Sequence, residues 1–140
     1  MSADFFDSNV FVYLFDETDA AKHAVARGLV ADALAQGTGI VSFQVVQEVL
    51  SVLTRKLKVI ARAEDAESFM QQTLVPLWQV QPSPELYASA LGIQQRQGFS
   101  FYDSLVVAAA LQAGCGRLFS EDLQHGQRIG RLRVENPFRA

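Results

Sequence analysis

The chain has 140 residues, 49% of them hydrophobic and 19% charged, a balance that suits one globular domain over 1–140 and excludes a disordered chain. No apolar run is long enough to span a bilayer, and Met1-Ser2-Ala3-Asp4 lacks a basic segment followed by an apolar one, so neither a membrane span nor a secretory leader is expected. The single cysteine, Cys115, excludes an internal disulfide and suits a reducing compartment, and the net charge of −3 excludes a uniformly basic nucleic-acid surface; the cytoplasm is the expected location.

In chain order, residues 3–7 predict a short strand ending at Asp7, and the alanine- and leucine-rich stretch 19–36 predicts a helix closed by Gly37. Residues 38–42 predict a second strand. Apolar residues at helical spacing (Val46, Val49, Leu50, Leu53, Leu57) then predict a helix from Phe43 to about Lys56, and another follows over Ala63–Leu74. A third strand is expected at 77–80. Ser83-Pro84-Glu85 opens a helix, because serine caps, proline suits the first turn and an acid suits the positive end of the dipole; Gly98 ends it. A nearly all-apolar helix is expected over Phe101–Ala113, then strands at 117–120 and 132–134.

Strands alternating with helices imply parallel pairing, since parallel strands need long crossovers. The expected fold is α/β, a three-layer α/β/α sandwich around a central parallel sheet of roughly five strands. Such sheets bind ligands beyond the C-terminal ends of their strands. Asp7 ends the first strand and Asp122 follows the fourth. Glu48 lies early on the helix leaving the second, and Asp103 in the first turn of the helix entering the fourth. All four acids are therefore expected on one edge.

Each acid also has an ordinary explanation. Asp7-Ser8-Asn9 could be a helix cap, Ser100-Phe101-Tyr102-Asp103 matches a capping box, Ser120-Glu121-Asp122 could cap a turn, and Glu48 could face solvent. Independent caps need not converge, whereas metal ligands must. Two carboxylates about 4 Å apart repel by roughly 4 kcal/mol at an effective dielectric near 20, so a cluster of them calls for a cation. Oxygen-only donors point to Mg²⁺ or Mn²⁺ rather than zinc, and His23 and His125 are expected in solvent rather than as ligands. Two basic groups, Arg55, Lys56, Lys58 and Arg62, and Arg128, Arg131, Arg133 and Arg139, are either solvated or available to phosphates.

Asp-Ser-Asn at 7–9, Glu48 on an apolar helix, Phe-Tyr-Asp-Ser at 101–104 and Ser-Glu-Asp at 120–122 together resemble the acidic signature of PIN-domain ribonucleases, especially VapC-like toxins. The resemblance covers essentially the whole chain. It implies Mg²⁺- or Mn²⁺-dependent cleavage of RNA, frequent homodimers and often an antitoxin partner in a type II toxin–antitoxin pair. It carries the metal-holding role to Asp7, Asp103 and Asp122, with Glu48 as the fourth acid, sometimes acting through water. Ser120 matches a hydroxyl residue, usually threonine, that steadies the site, and Asn9 a neighbouring polar position. Glu121 adds an acid beside the usual one, which leaves open which carboxylate binds metal. The alternative from another class is a catalytically silent PIN-like module that binds RNA or a protein partner. Phosphoryl transfer ranks below both, because the only lysines are Lys22, Lys56 and Lys58 and none falls late in the chain.

Overall fold

Local signals set most element boundaries in the computed structural model, which describes residues 3–56 and 63–139. β1 (Asp4–Phe6) leads through a short helix, α1 (Ser8–Val12), to α2 (Ala20–Gln36). Asp19 caps α2 by accepting the Lys22 N–H at 3.1 Å, and Gly37 ends it at φ 67°, a left-handed conformation that glycine adopts without a Cβ clash. β2 (Gly39–Ser42) then passes directly into α3 (Phe43–Ser51), with Ser42 as the cap.

The helix expected to continue to Lys56 changes winding instead, to a π-helical turn over Val52–Lys56. Thr54 donates its hydroxyl to the Leu50 carbonyl at 2.7 Å and so competes for the acceptor of the regular ladder. The next helix, α4 (Ala63–Phe69), likewise gives way to a π-helical turn over Met70–Leu74. β3 (Trp78–Val80), α5 (Pro84–Gln97), α6 (Phe101–Gln112) and β4 (Arg117–Phe119) follow as expected, with Ser83 and Ser100 as caps. A hairpin of β5 (Arg128–Ile129) and β6 (Leu132–Glu135) closes the chain.

The sheet order is β3-β2-β1-β4-β6-β5, with parallel pairs throughout except β5, which runs antiparallel to β6. The roughly five-stranded expectation thus becomes six strands. β5 and α1 were not anticipated, being only two and five residues long, too short to show a hydrophobic period. The chain moves one way from β1 through β2 to β3 and the other way from β3 to β4, and with the right-handed crossovers that parallel strands almost always make, the connecting helices fall on opposite faces. α3 packs on β2 and β3, and α6 on β2 and β4, as that arrangement requires. The direction of travel reverses between β1 and β4, the place where open α/β sheets bind ligands.

The core is built on fully buried Phe5, Phe6, Phe11 and Phe119, and the Phe6 and Phe119 rings meet edge to face at 5.3 Å. α6 is buried from Ser104 through Ala110, which explains its all-round apolar sequence. A Cβ on Gly39 would stand 2.8 Å from the Ala33 Cβ, so glycine there lets α2 lie close on β2. Phe69 packs its ring 4.9 Å from Phe15 and belongs to the core's margin. Leu57, Lys58, Val59, Ile60 and Arg62 lie outside the described residues. Among the described residues, no helix is long and apolar enough to cross a membrane.

Candidate active site

Asp7 stands where β1 ends and α1 begins, and its own N–H extends the β1–β4 pairing by donating to the Phe119 carbonyl at 3.0 Å. Its carboxylate caps α1 and is also tied to the neighbouring strand. Oδ1 accepts the Ser8 N–H at 2.8 Å, and Oδ2 accepts the Ser120 hydroxyl at 2.8 Å. Ser120 is fully buried and accepts the Asp122 N–H at 3.2 Å, so one hydroxyl links two acids across the β1–β4 switch point. Asn9 donates its amide to Asp122 Oδ2 at 3.4 Å, while its own Oδ1 is buried with no partner among the described residues.

Glu48 projects from α3 and is half-buried. Asp103 lies in the first turn of α6, where Ser100 Oγ accepts its N–H at 3.1 Å. The serine half of the expected capping box is therefore made. Gln44, buried on α3, donates to the Tyr102 carbonyl at 3.1 Å and so clamps the start of α6 to α3. The interhelical clamp brings Glu48 and Asp103 towards Asp7.

The electrostatics register this convergence. Burial pushes the Asp7 carboxyl up to about 6; hydrogen bonds from Ser120 and Ser8 oppose the rise, and the charges of Asp122 and Asp103 add to it. Glu48 is pushed up to about 7, mainly by burial and then by the charge of Asp7, with a smaller push from Asp103 and relief from Ser8 and Gln44. Asp122 is raised by burial, then by Asp103 and Glu121, and lowered by Asn9. Asp7, Glu48 and Asp122 thus each feel the charge of other acids in the set, with Asp103 acting on all three.

The four share an edge and a field, but not a coordination sphere. Among the described residues, no three Asp, Glu, His or Cys groups stand close enough to hold a metal ion as placed. Asp7 has both oxygens occupied by donors, and Asp122 is held by Asn9. The donor set nevertheless fits a hard divalent cation: carboxylates whose ionisation is opposed by burial and by one another's charge, beside a buried amide oxygen that lacks a donor.

Glu121 is engaged elsewhere. Tyr13 donates its hydroxyl to Oε1 at 2.6 Å, and the Lys22 ammonium lies 3.0 Å from Oε2 and over the Tyr13 ring. The contact raises the affinity of Lys22 for its proton, and burial followed by Glu121 raises that of the Tyr13 phenol. Phe138 packs edge to face on Tyr13 at 4.7 Å. This cluster pins the Ser120–Asp122 loop to α2. Its Lys22–Glu121 and Tyr13–Glu121 pairs join residues about a hundred positions apart, so no sequence spacing announced them. Ser8 and Gln44 were also missed; a buried glutamine among apolar helix positions is the one signal that could have drawn attention.

Both histidines serve backbone contacts. His23 Nδ1 lies 2.9 Å from the Tyr13 carbonyl, and His125 Nδ1 accepts the Asn136 N–H at 3.0 Å. Of the basic groups, Arg128, Arg131 and Arg133 lie on the β5–β6 hairpin, whose turn faces the opposite edge of the sheet from the acids, and Arg133 is paired with Glu135 at 3.2 Å. Arg55 is different. It lines a groove of about 430 Å³ with Ser8, Gln47, Glu48, Ser51 and Val52, so a cation stands in the same depression as the acid of α3.

Several solved structures share this fold. A toxin–antitoxin complex from Klebsiella pneumoniae aligns at a TM-score of 0.68 with 14% identity, covering 96% of this chain and 98% of that one. VapBC2 from Rickettsia felis, bound to a DNA fragment from its promoter, aligns at 0.65 with 17% identity over 95% and 97%. VapC20 from Mycobacterium tuberculosis, described as a toxin that cleaves the sarcin–ricin loop, aligns at 0.62 with 21% identity over 86% and 92%. No curated protein sequence matches the chain. The PIN domain family model matches residues 5–129, which takes in all four acids and the strands and helices that carry them. The chain belongs to the PIN-domain family.

Proposed function

We propose that this chain is a metal-dependent endoribonuclease that hydrolyses RNA phosphodiester bonds, and that it is the toxin of a type II toxin–antitoxin pair. The observation that carries the reading is the position of four carboxylates from four separate elements at the edge where β1 and β4 end, where Asp7, Glu48 and Asp122 each feel the charge of other acids of the set. Membership of the PIN family supports nuclease chemistry, and the toxin–antitoxin complexes of the same fold support an antitoxin partner. The chain would act as one domain over 1–140 and work as a homodimer.

Asp7, Asp103 and Asp122 would hold Mg²⁺ or Mn²⁺, with Glu48 reaching it through water. A bound ion would supply a water of lowered pKa and neutralise charge developing on the phosphate. The protein's own contribution is positional. Ser120 orients Asp7 and the loop bearing Asp122, Asn9 steadies Asp122, and the Gln44 clamp sets Glu48 against Asp103. Arg55, in the groove beside Glu48, would take a neighbouring phosphate of the strand.

The second reading, a silent PIN-like module, is favoured by one observation: the acids are not at ligand spacing. One experiment separates the two. The purified chain should cleave single-stranded RNA only with Mg²⁺ or Mn²⁺, and Asp103→Asn should abolish cleavage while keeping the native circular dichroism spectrum. Full activity in Asp103→Asn, or tight RNA binding without cleavage under either metal, would reject the nuclease assignment. For the toxin assignment, expression should arrest growth, with rescue by the product of an adjacent small reading frame.

A further inference from the structure

Next to Asp103 in the chain begins a row of aromatic side chains that the proposed chemistry does not use, its inner members Phe43 and Phe101 packed against the margin of the core. Phe43 starts α3, Tyr87 lies in the first turn of α5, and Phe101 and Tyr102 start α6. The Phe43 and Tyr87 ring centres are 6.4 Å apart and roughly perpendicular. Tyr87 and Phe101 are 6.4 Å apart and nearly parallel, and Phe101 and Tyr102 are 5.5 Å apart edge to face. Phe43 and Phe101 are half-buried and brace the row, while Tyr87 is 37% exposed and Tyr102 65% exposed. Tyr102 immediately precedes Asp103, and the Gln44 bond to its carbonyl fixes its backbone. A bulky ring held out in water at the lip of the acid cluster leaves its apolar faces unburied.

We propose that Tyr102, backed by Phe101, Tyr87 and Phe43, is a stacking platform for unpaired bases of single-stranded RNA next to the acid cluster. The proposal deepens the ribonuclease reading and rests on it. Base faces stack on aromatic rings whatever the base, which makes such rings a common way of holding single strands. Tyr102 is the chain neighbour of Asp103 in the first turn of α6, so a single strand that reaches the acids passes beside its ring. A second copy of the chain is the less suitable cover, because the exposed parts of Tyr87, Tyr102 and nearby Leu91 fall well short of the roughly 800 Å² per partner that a stable interface buries.

The test uses the full chain and an unstructured RNA of about twenty nucleotides. In a scan with single abasic substitutions, one or two positions should weaken wild-type cleavage, read as KM. Tyr102→Ala should raise KM by roughly 5- to 150-fold on the intact RNA and be indifferent to those same abasic positions, whereas Tyr102→Phe should retain the wild-type pattern. In an Asp103→Asn background, 2-aminopurine at those positions should be quenched on binding, and Tyr102→Ala should remove the quench. Equal sensitivity of wild type and Tyr102→Ala to every abasic position would overturn the platform. So would a Tyr102→Ala chain that turns from dimer to monomer in light scattering with the quench unchanged. RNA that binds with quenching but is never cleaved by wild type would reject the ribonuclease reading and leave the platform standing; absence of RNA binding would reject both.

Discussion

Asp7→Asn isolates the central electrostatic feature of the site. The Asp7 side chain is buried, and burial together with two neighbouring acids raises its carboxyl from 3.8 to about 6, despite hydrogen bonds from Ser8 and Ser120. A carboxyl that is raised on folding contributes stability fully below the unfolded value and loses it as pH rises through the folded one. A shift of about two units at ~1.4 kcal/mol each amounts to about 3 kcal/mol lost by the metal-free protein between roughly pH 4 and pH 7. Asparagine keeps the shape without the charge, so the variant should not undergo that loss. Urea unfolding in EDTA should therefore show the stability difference moving by about 3 kcal/mol in the variant's favour from about pH 3.5 to about pH 7.5. Glu48, raised to about 7 in part by the charge of Asp7, is less perturbed in the variant, so its titration adds to the difference in the same direction. Adding Mg²⁺ or Mn²⁺ at about pH 7.5 should raise the melting temperature of wild type much more than that of the variant. A stability difference that did not change with pH would refute the reasoning, because it would mean that Asp7 ionises without penalty in the folded chain.

Ser120→Ala removes the hydroxyl that serves Asp7 and accepts from Asp122; it should destabilise the chain by about 1–3 kcal/mol. Because that bond favours ionised Asp7, its loss should also move the acid limb of the cleavage profile to higher pH, as measured by kcat/KM against pH. Glu121→Gln should keep metal-dependent cleavage within a few-fold of wild type, since Glu121 is committed to Tyr13 and Lys22; loss of cleavage equal to that of Asp122→Asn would identify it as a ligand instead. Arg55→Ala should raise KM and reduce the slope of log KM against log salt by about 0.7, the share of one phosphate on a single strand; an unchanged slope would place RNA outside the groove.

The alternation of strands and helices, the serine caps and the terminal glycines were legible because each rests on short-range chemistry: period, free backbone donors and the left-handed conformation. The shared edge of Asp7, Glu48, Asp103 and Asp122 followed from parallel pairing alone. What escaped was short or distant. α1 and β5 carry too few residues to show a period, and the π-helical turn after Ser51, where Thr54 donates to the Leu50 carbonyl, interrupts no apolar spacing. Similarly, the sequence left Glu121 as a possible ligand, because nothing nearby in the chain marks Tyr13 and Lys22 as its partners.

The amino-acid order by itself determined the fold class and which acids lie at the C-terminal ends of the strands, because periodicity and parallel crossover geometry act over a few tens of residues. Only the tertiary structure decided the strand order and its reversal between β1 and β4, the bridging of Asp7 and Asp122 by Ser120, the diversion of Glu121 to Lys22, and the meeting of three helix starts in an aromatic row. Those contacts join residues far apart in the chain, and they depend on distance and burial, which packing sets and linear spacing does not.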